Sequence, residues 1–316
     1  MTSTRPHLRR RRIIGSALAA AVLFAGAMSA CSPSPSQLQQ VESTALSASQ
    51  VKERISKTPT STDYYSTPVD EDFLHVSAPE LTEKEKAQLD RQDRSGANSS
   101  IVARYRGADG SVLWAREIKP AVVNWLDDDG SSAQDVAHDL LAWRPAGYAV
   151  VSPNGRYVSL VLRPPQMRPV IHDSDEDRNP LDVAAQRTHV LVLDAATGET
   201  VRTVEVSGLV LGQVLTNDAL AVETAQTYYP AGDGKGTVTV YSLTDTSAAP
   251  ASFATDQWLT GIDDGALLLS PQSLATGRHD DVSVTLTRVD TRGRQLGTIE
   301  GVTAPDLKHW ERPKQR

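Results

Sequence analysis

The chain of 316 residues carries 39 acidic and 32 basic residues, a net charge of −7, and 39% of its residues are hydrophobic. Five of the basic residues are arginines within the first 30 positions, which leaves 27 basic and 39 acidic residues, a net charge of −12, for the rest. This acidic body argues against nucleic acid as a partner and against broad electrostatic docking on anionic lipid. One cysteine excludes an intramolecular disulfide, and the length suits one substantial domain or two small ones.

Residues 1–30 have the pattern of a secretory signal peptide. Four consecutive arginines, Arg9 to Arg12, precede the apolar, alanine-rich residues 13–29. Residues 28–31, MSAC, resemble the bacterial lipobox, with Met in place of the usual Leu and the only cysteine at the required position. The resemblance implies cleavage before Cys31 and a diacylglycerol lipid, with acyl chains such as palmitate, on its thiol. We therefore predict a lipoprotein anchored on the extracytoplasmic face of the cell membrane. The alternative is an uncleaved membrane helix, which the short apolar run disfavours.

Residues 31–70 are predicted to form a tether. Residues 32–35, SPSP, read as a stiff spacer, and residues 58–68 are a linker rich in Ser, Thr and Pro. Between them, the capping-box pattern at residues 36–39 and apolar residues at spacings of three and four predict a short helix reaching about Lys57. The apolar face of this helix is small, which favours a partly helical tether over a partner-binding helix.

The predicted folded domain spans residues 71–316. A candidate strand at residues 72–77 and a polar helix at residues 82–94 come first. Residues 99–119 then contain two predicted strands, IVARY and VLWAREIK, on either side of a turn with two glycines. An irregular, acidic connection follows at residues 120–145.

From residue 148 onward, a hairpin, a loop and a second hairpin recur. The pattern is clearest at residues 188–208, where the apolar run VLVL is followed by a turn at residues 194–198 and a return strand. A helix is the alternative for the apolar run, but the run is too short for one. The predicted strands of the three copies are residues 148–151, 157–162, 190–193 and 200–206; 209–215, 219–223, 237–243 and one near 252; and 258–262, 266–269, 282–289 and 295–299.

The spacing of these copies predicts the fold. Third strands begin near residues 101, 190, 238 and 282, at intervals of 89, 48 and 44 residues. A period in the forties with four strands per repeat is typical of a β-propeller blade. We therefore predict an all-β, β-propeller-like array of about four four-stranded blades, with strands near Phe73 and after Val302 completing the first blade from both termini. An open or irregular array of sheets is the alternative.

Residues 194–198, DAATG, resemble the D-x-x-T-G turn of quinoprotein-type propeller repeats, and residues 108–110 with Trp114 form a poorer copy. That family includes redox enzymes and lipid-anchored assembly scaffolds. Quinone-using members rely on a larger ring, and some use a disulfide of adjacent cysteines. The length and the single cysteine of this chain therefore favour the scaffold branch, and we expect no cofactor.

In a meandering four-stranded blade, the loops that join second to third strands lie on the same face as the loops that join one blade to the next. The longest predicted loops, residues 120–145 and 163–187, belong to that face. Loops carry function more often than scaffold strands do, so we predict that this face binds a partner. Four aromatic residues in or beside these loops are candidates for stacking on a sugar or anchoring a partner protein, with packing between blades as the alternative. They are Trp125, Trp143, Tyr228 and Tyr229.

Three His-Asp pairs in the loops are weak candidates for a metal site, because imidazole and carboxylate are good ligands. The candidate ligands are His138, His172, Asp173, Asp175, His279 and Asp280. Since no local element fixes their spacing, solvated polar loops are the favoured interpretation. Residues 173–177 resemble a calcium loop, but Arg178 and Ala184 stand where an EF-hand requires Gly and Glu.

The sequence contains no convincing catalytic motif. G-x-S-x-G and H-E-x-x-H are absent, and the match to S-x-x-K at residues 49–52 lies in the predicted tether. We therefore expect a binding or scaffold protein, rather than an enzyme, that interacts with another envelope protein and not with nucleic acid. The alternatives are a glycan- or metal-binding module and an enzyme with a dispersed site on the loop-rich face.

Overall fold

The computed structural model describes residues 40–63, 65–80, 99–122, 149–163, 187–225, 236–271 and 283–303. These residues form one helix, α1 (Ala48–Arg54), and seventeen strands. The strands are β1 (Glu42–Ala45), β2 (Ser66–Val69), β3 (Asp72–Ser77), β4 (Ser100–Tyr105), β5 (Val112–Lys119), β6 (Ala149–Val151), β7 (Tyr157–Val161), β8 (Arg187–Asp194), β9 (Thr200–Ser207), β10 (Leu209–Leu215), β11 (Ala219–Ala225), β12 (Gly236–Ser242), β13 (Ala251–Thr255), β14 (Trp258–Asp263), β15 (Ala266–Ser270), β16 (Val284–Val289) and β17 (Gln295–Val302).

Each of four antiparallel sheets is built from four consecutive strands. Sheet 1 contains β2 to β5, sheet 2 contains β6 to β9, sheet 3 contains β10 to β13 and sheet 4 contains β14 to β17. The third strands β4, β8, β12 and β16 begin close to the positions that the repeat predicts. The prediction of an all-β, propeller-like array of four four-stranded blades is therefore confirmed. Sheet 1 differs from the others in having a fifth strand, β1, beside β5.

The position of each strand in its sheet explains its pattern of burial. Every residue of β11 and β15, the second strands of sheets 3 and 4, is buried, and the apolar run of β8 is buried on both faces. These strands pack between neighbouring sheets, so their sequences are almost continuously apolar. In the fourth strand β9, buried and exposed residues alternate toward its end, and the fourth strand β17 is largely exposed. Both patterns are expected for strands with one solvated face.

The sheets pack on one another in chain order through three apolar layers. Leu74 and Val102 of sheet 1 pack with Leu160 of sheet 2, in a layer that includes further residues from both sheets. Equivalent layers join sheet 2 to sheet 3 and sheet 3 to sheet 4. The first strands of successive sheets also contact each other, β2 with β6, β6 with β10 and β10 with β14. The first strands are thus the common axis of the array.

The N-terminal part of the described chain corrects the predicted helix. Residues 42–45 form β1, paired with β5 so that Glu42 lies opposite Lys119, and the helix begins only after Ser47. A capping box fixes this start, because the Ser47 side chain accepts a hydrogen bond from the Gln50 N–H and Gln50 Oε1 accepts one from the Ser47 N–H. Pairing with β5, which is remote in sequence, overrides the local helical pattern that predicted an earlier start.

Helix α1 covers the face of sheet 1 that is turned away from sheet 2. Val51 of α1 is buried against Phe73 and Tyr105, whose rings stack at 5.3 Å. These two residues alternate in the strands with Leu74 and the other residues that face sheet 2. Part of the segment predicted as a tether is therefore packed on the folded body.

Sheet 1 draws all of its described strands from residues 42–119. The predicted strand near Phe73 is present as β3, which pairs with β4. The predicted contribution of a C-terminal strand to this sheet is not found in the described part of the chain, where β17 pairs with β16 in sheet 4. Residues 304–316 and the helix predicted at residues 82–94 lie outside the described residues.

The D-x-x-T-G turn between β8 and β9 joins sheet 2 to sheet 1. Asp194 Oδ1 accepts hydrogen bonds from the N–H groups of residues 196 and 197, and Gly198 adopts a φ of 70°. The Trp114 indole N–H donates to the Ala195 carbonyl at 2.9 Å. A Cβ at Gly198 would lie 2.6 Å from Trp114 Cε3, so only glycine admits both the backbone conformation and the ring.

The third residues of β9 and β13 make comparable contacts with the next sheet. Arg202 of β9 donates to the Ser242 carbonyl at the end of β12, and its guanidinium lies 5.4 Å from the centroid of the Tyr241 ring. Phe253 of β13 lies against the glycine of the β16–β17 turn, Gly293. Each pair of neighbouring sheets is thus joined by one such side chain. Trp114 connects sheet 1 to sheet 2, Arg202 connects sheet 2 to sheet 3, and Phe253 connects sheet 3 to sheet 4.

Candidate functional site

The two ends of the sheets differ in the length of their connections. The connections at one end are short, 2 to 8 residues, and we call it the turn end. The other end, the loop-rich end, carries every second-to-third-strand connection and one long link between sheets. These are residues 78–99, 120–148, 162–186, 226–235 and 271–283, each of 10 or more residues. The strand order therefore brings the predicted partner-binding loops to one end of a rigid scaffold.

All of the predicted site residues lie outside the described residues, so their geometry stays a prediction. The lipidation site Cys31 lies in the N-terminal segment, and the others lie in the connections of the loop-rich end. They are Trp125, Trp143, Tyr228, Tyr229, His138, His172, Asp173, Asp175, His279 and Asp280. Within the described ranges, no group of three or more His, Cys, Asp or Glu residues could hold a metal ion. No helix there is long and apolar enough to cross a membrane.

A buried carboxyl group lies near the loop-rich end, between sheets 3 and 4. On β11, Ala219, Ala221, Glu223 and Ala225 alternate along the face turned toward sheet 4. Glu223 is fully buried. One carboxylate oxygen, Oε2, accepts a hydrogen bond of 2.8 Å from the backbone N–H of Leu259 in β14. Glu223 therefore bridges two sheets within a row of small apolar side chains.

The surroundings of Glu223 favour its neutral form. Burial is the main cause that raises the pKa of Glu223 to about 7, and the Leu259 N–H only partly offsets it by lowering the pKa. The second oxygen, Oε1, has no hydrogen-bond partner among the described residues, and a Cβ at Gly236 would lie 2.6 Å from it. Glycine at position 236 thus makes room for a carboxyl group that protonates near neutral pH.

Trp258 precedes Leu259 and adds a second buried polar group to this region. Its ring packs with Leu211 and Ala225, and within the described part of the chain its indole N–H has no acceptor. Neither the Glu223 carboxyl group nor this ring has the solvent exposure that a dissolved substrate would require. We therefore expect ionisation of Glu223 to weaken the contact between sheets 3 and 4, and these two buried groups do not form an open catalytic centre.

Ser66 and His75 form the one serine–histidine hydrogen bond among the described contacts, and its geometry is structural. The Ser66 hydroxyl donates to the Thr60 carbonyl at 2.6 Å, and Ser66 Oγ lies 2.9 Å from His75 Nδ1. Because the Ser66 hydroxyl donates its hydrogen bond to the Thr60 carbonyl, Ser66 Oγ can only accept a hydrogen bond from the His75 ring N–H. Burial lowers the pKa of His75, partly offset by the charge of Asp63. This pair links β2 to β3 and lacks the orientation of a nucleophile and its base.

Glu223 is not among the candidate residues predicted from the sequence, although its strand carries one signal. The strand ALAVETA is apolar on both faces except at this position, and a carboxylate in such a strand must have a partner or a raised pKa. The partner, the Leu259 N–H, lies in another sheet and follows only from the fold.

No family model matches the sequence, and no curated protein matches it either. Among solved structures, the chain is similar to an acylaminoacyl peptidase from Pyrococcus horikoshii, with 10% identity over 73% of this chain and 32% of that chain, at a TM-score of 0.42. It is also similar to a prolyl endopeptidase, with 15% identity over 81% of this chain and 32% of that chain, at a TM-score of 0.36.

A third similarity is to the β-propeller domain of the Trilobed protease from Pyrococcus furiosus, with 8% identity over 76% of this chain and 98% of that domain, at a TM-score of 0.19. The chain thus spans about a third of the length of the two peptidases named first. These similarities carry no statement about activity, and the propeller-like fold rests on the strand order given above.

Proposed function

We propose that the chain is a lipid-anchored, extracytoplasmic binding or scaffold protein that acts through protein–protein interaction at its loop-rich end. The observation that carries this proposal is the difference in connection length between the two ends of the sheets. From β2 to β17, all connections of 10 or more residues between described strands leave from one end, and the turns of 2 to 8 residues occupy the other. Long loops on a rigid all-β scaffold are a common arrangement for recognition.

The composition of the longest connections favours a protein partner with a basic surface. Residues 120–148 contain five acidic residues and one basic residue, and residues 162–186 contain five acidic and three basic residues. Charges of this sign repel nucleic acid and anionic lipid, and they accelerate association with a basic surface. Trp125 and Trp143 in the first of these connections, with Tyr228 and Tyr229 in the connection 226–235, supply the apolar anchors that protein interfaces use.

The sequence before the described body supports the anchor. Four arginines, an apolar run and the lipobox-like residues 28–31 imply a mature N-terminus at a lipidated Cys31. The two copies of the turn pattern are packed together, since Trp114 of one copy contacts the turn at residues 194–198 of the next. Within the family of quinoprotein-type repeats that this turn resembles, the single cysteine of this chain favours the lipid-anchored scaffolds over the redox enzymes that use a disulfide of adjacent cysteines.

Cross-linking in living cells followed by mass spectrometry tests this function. The wild-type protein is compared with a variant in which residues 173–179 are replaced by seven Gly and Ser residues. A matched control replaces residues 244–250, in a short connection of the turn end, in the same way. We expect an envelope protein to be captured by the wild type and the control and lost from the first variant.

Two results would contradict the proposal. Capture of the same proteins by all three forms would remove the interaction from this part of the loop-rich end. Absence of any partner, together with a mature N-terminal peptide that carries no lipid in the mass spectrum, would remove both the scaffold function and the anchor.

A further inference from the structure

The outer edges of the four sheets differ in how they are protected against pairing with another strand. The first strands contact one another, so the outer edge of each sheet is formed by its fourth strand, β5, β9, β13 or β17. A free edge presents unpaired backbone N–H and C=O groups, and natural proteins cover it, place charges on it or bend it with a β-bulge. Three of the four outer strands carry such protection.

A bulge bends the outer strands of sheets 1, 2 and 4. In β5, β9 and β17 the register shifts near the start of the strand and leaves its second residue with no residue opposite. These residues are Leu113, Val201 and Leu296. A bulge increases the local twist and makes the edge a poorer template for another strand. The repeat thus places the same protection at the same position in three sheets.

The same three strands also carry a cover or a charge. β1 pairs with the last four residues of β5. Arg202 and Glu205 lie on β9, and Glu300 lies on β17. Charges on an edge strand oppose pairing with another chain, because they must be brought next to a second backbone and its side chains.

Strand β13 has none of these features. Its five residues, ASFAT, include no charged residue and no proline, and they pair with β12 in an unbroken register. Among the described strands, none lies beside its outer edge. The exposed residues Ser252 and Ala254 are small. Within the described part of the chain, β13 is therefore the outer strand without protection against pairing.

We propose that β13 pairs antiparallel with β13 of a second copy of this chain, so that two copies of sheet 3 form one sheet of eight strands. A two-fold axis perpendicular to the sheet relates the two strands, and residues opposite each other then face the same side. With this axis at Phe253, Ser252 lies opposite Ala254 of the second copy. Ala251 lies opposite Thr255 of the second copy, so all five residues find a partner.

The edge fits a second copy because the pairing is self-complementary. No charged residue lies within β13, so the two-fold arrangement brings no like charges together. The interface is small, since five residues of strand are about 17 Å long. It therefore buries less than the roughly 1,200 Å² of a stable interface, and we expect a dimer that forms reversibly at micromolar concentrations.

Pairs of added cysteines test the pairing and its register. In a full chain that carries Cys31→Ser, the added cysteines are the only thiols. Ser252→Cys together with Ala254→Cys places each thiol opposite one in the second copy, within reach of a disulfide. We expect a disulfide-linked dimer after oxidation with copper phenanthroline. Thr203→Cys together with Glu205→Cys is the matched control on β9, where both residues are also exposed, and it should stay monomeric.

A charge on the edge tests the same interface without a covalent bond. Light scattering of the purified full chain in mild detergent, from about 5 to about 200 μM, measures the shift from monomer to dimer. We expect Ala254→Lys to weaken association about tenfold or more, because a lysine on an edge strand opposes pairing. Thr203→Lys on β9 is the control and should associate as the wild type does.

Three results would overturn the proposal. They are a wild type that stays monomeric over the whole range, cross-linking from β9 that equals that from β13, and association that Ala254→Lys leaves unchanged. Because Ala254 is exposed, its substitution should not alter urea unfolding. If unfolding changes, Ser252→Lys replaces it, so that a folding defect is not mistaken for loss of the dimer.

Discussion

We expect Glu223→Gln to raise the free energy of unfolding by about 3 kcal/mol at pH 8 and by only about 1 kcal/mol or less at pH 5. The folded-state pKa of Glu223, about 7, lies above its ordinary value of 4.5, so the folded state binds more protons between these values. The stability that the neutral carboxyl group contributes is complete below pH 4.5 and is lost as the pH rises through about 7. Gln keeps the shape and the acceptor for the Leu259 N–H but carries no charge.

Urea unfolding of the wild type and Glu223→Gln at pH 5, 6, 7 and 8 measures this difference. His75 also titrates, but its lowered pKa has the opposite sign and cancels in the comparison of two proteins that both contain it. Glu199→Gln is the matched control, because Glu199 is exposed in a turn. A difference between wild type and Glu223→Gln that stays constant from pH 5 to pH 8 would contradict the account of the buried carboxyl group.

Trp114→Ala is expected to lower the free energy of unfolding by about 3 kcal/mol, at the lower end of the range for removal of a large aromatic side chain. The substitution removes the ring that packs on Gly198 and the N–H that donates to the Ala195 carbonyl. Arg104 continues to donate to the same carbonyl at 3.0 Å, so this acceptor keeps one partner. Most of the loss therefore comes from packing between sheets 1 and 2.

Denaturant unfolding of three variants separates these contributions. Trp114→Phe keeps an aromatic ring and lacks the N–H, and we expect it to cost about 1 kcal/mol. Leu113→Ala is the matched control, since the neighbouring Leu113 side chain is 39% exposed, and its effect should stay within about 0.5 kcal/mol. Equal losses for Leu113→Ala and Trp114→Ala would refute the role of Trp114 as the contact that fastens the two sheets.

The strands of sheets 2 to 4 were predictable because their signals are local. Apolar runs such as the one in β8 end in turns built from Asp, Asn and Gly, and the Asp194 turn forms the side-chain to backbone hydrogen bonds that its residues predict. The recurrence of this pattern at intervals of 44 and 48 residues was enough to predict the number of strands per sheet. In these sheets local preference and tertiary packing agree.

The errors and omissions concern contacts between residues distant in sequence. Two serine–glutamine pairs three positions apart, at residues 36–39 and 47–50, fit a capping box equally well in the sequence, and the pairing of β1 with β5 decides for the second. Trp114 was noted as part of a poor repeat, but its contact is with Gly198 of the next sheet. The hydrogen bond of the Glu223 carboxyl group likewise joins it to a residue of another sheet, Leu259. None of these pairings leaves a local pattern in the sequence.

Photocross-linking in living cells, from single positions at the two ends of the sheets, tests the proposed function most directly. A photoreactive residue replaces Asp256 or Lys119 at the loop-rich end, or Thr246 or Ala108 at the turn end, in the otherwise intact chain. The account predicts that one envelope protein is captured from the loop-rich positions and not from the turn-end positions. Capture of that protein from the turn end alone, or equally from all four positions, would contradict it.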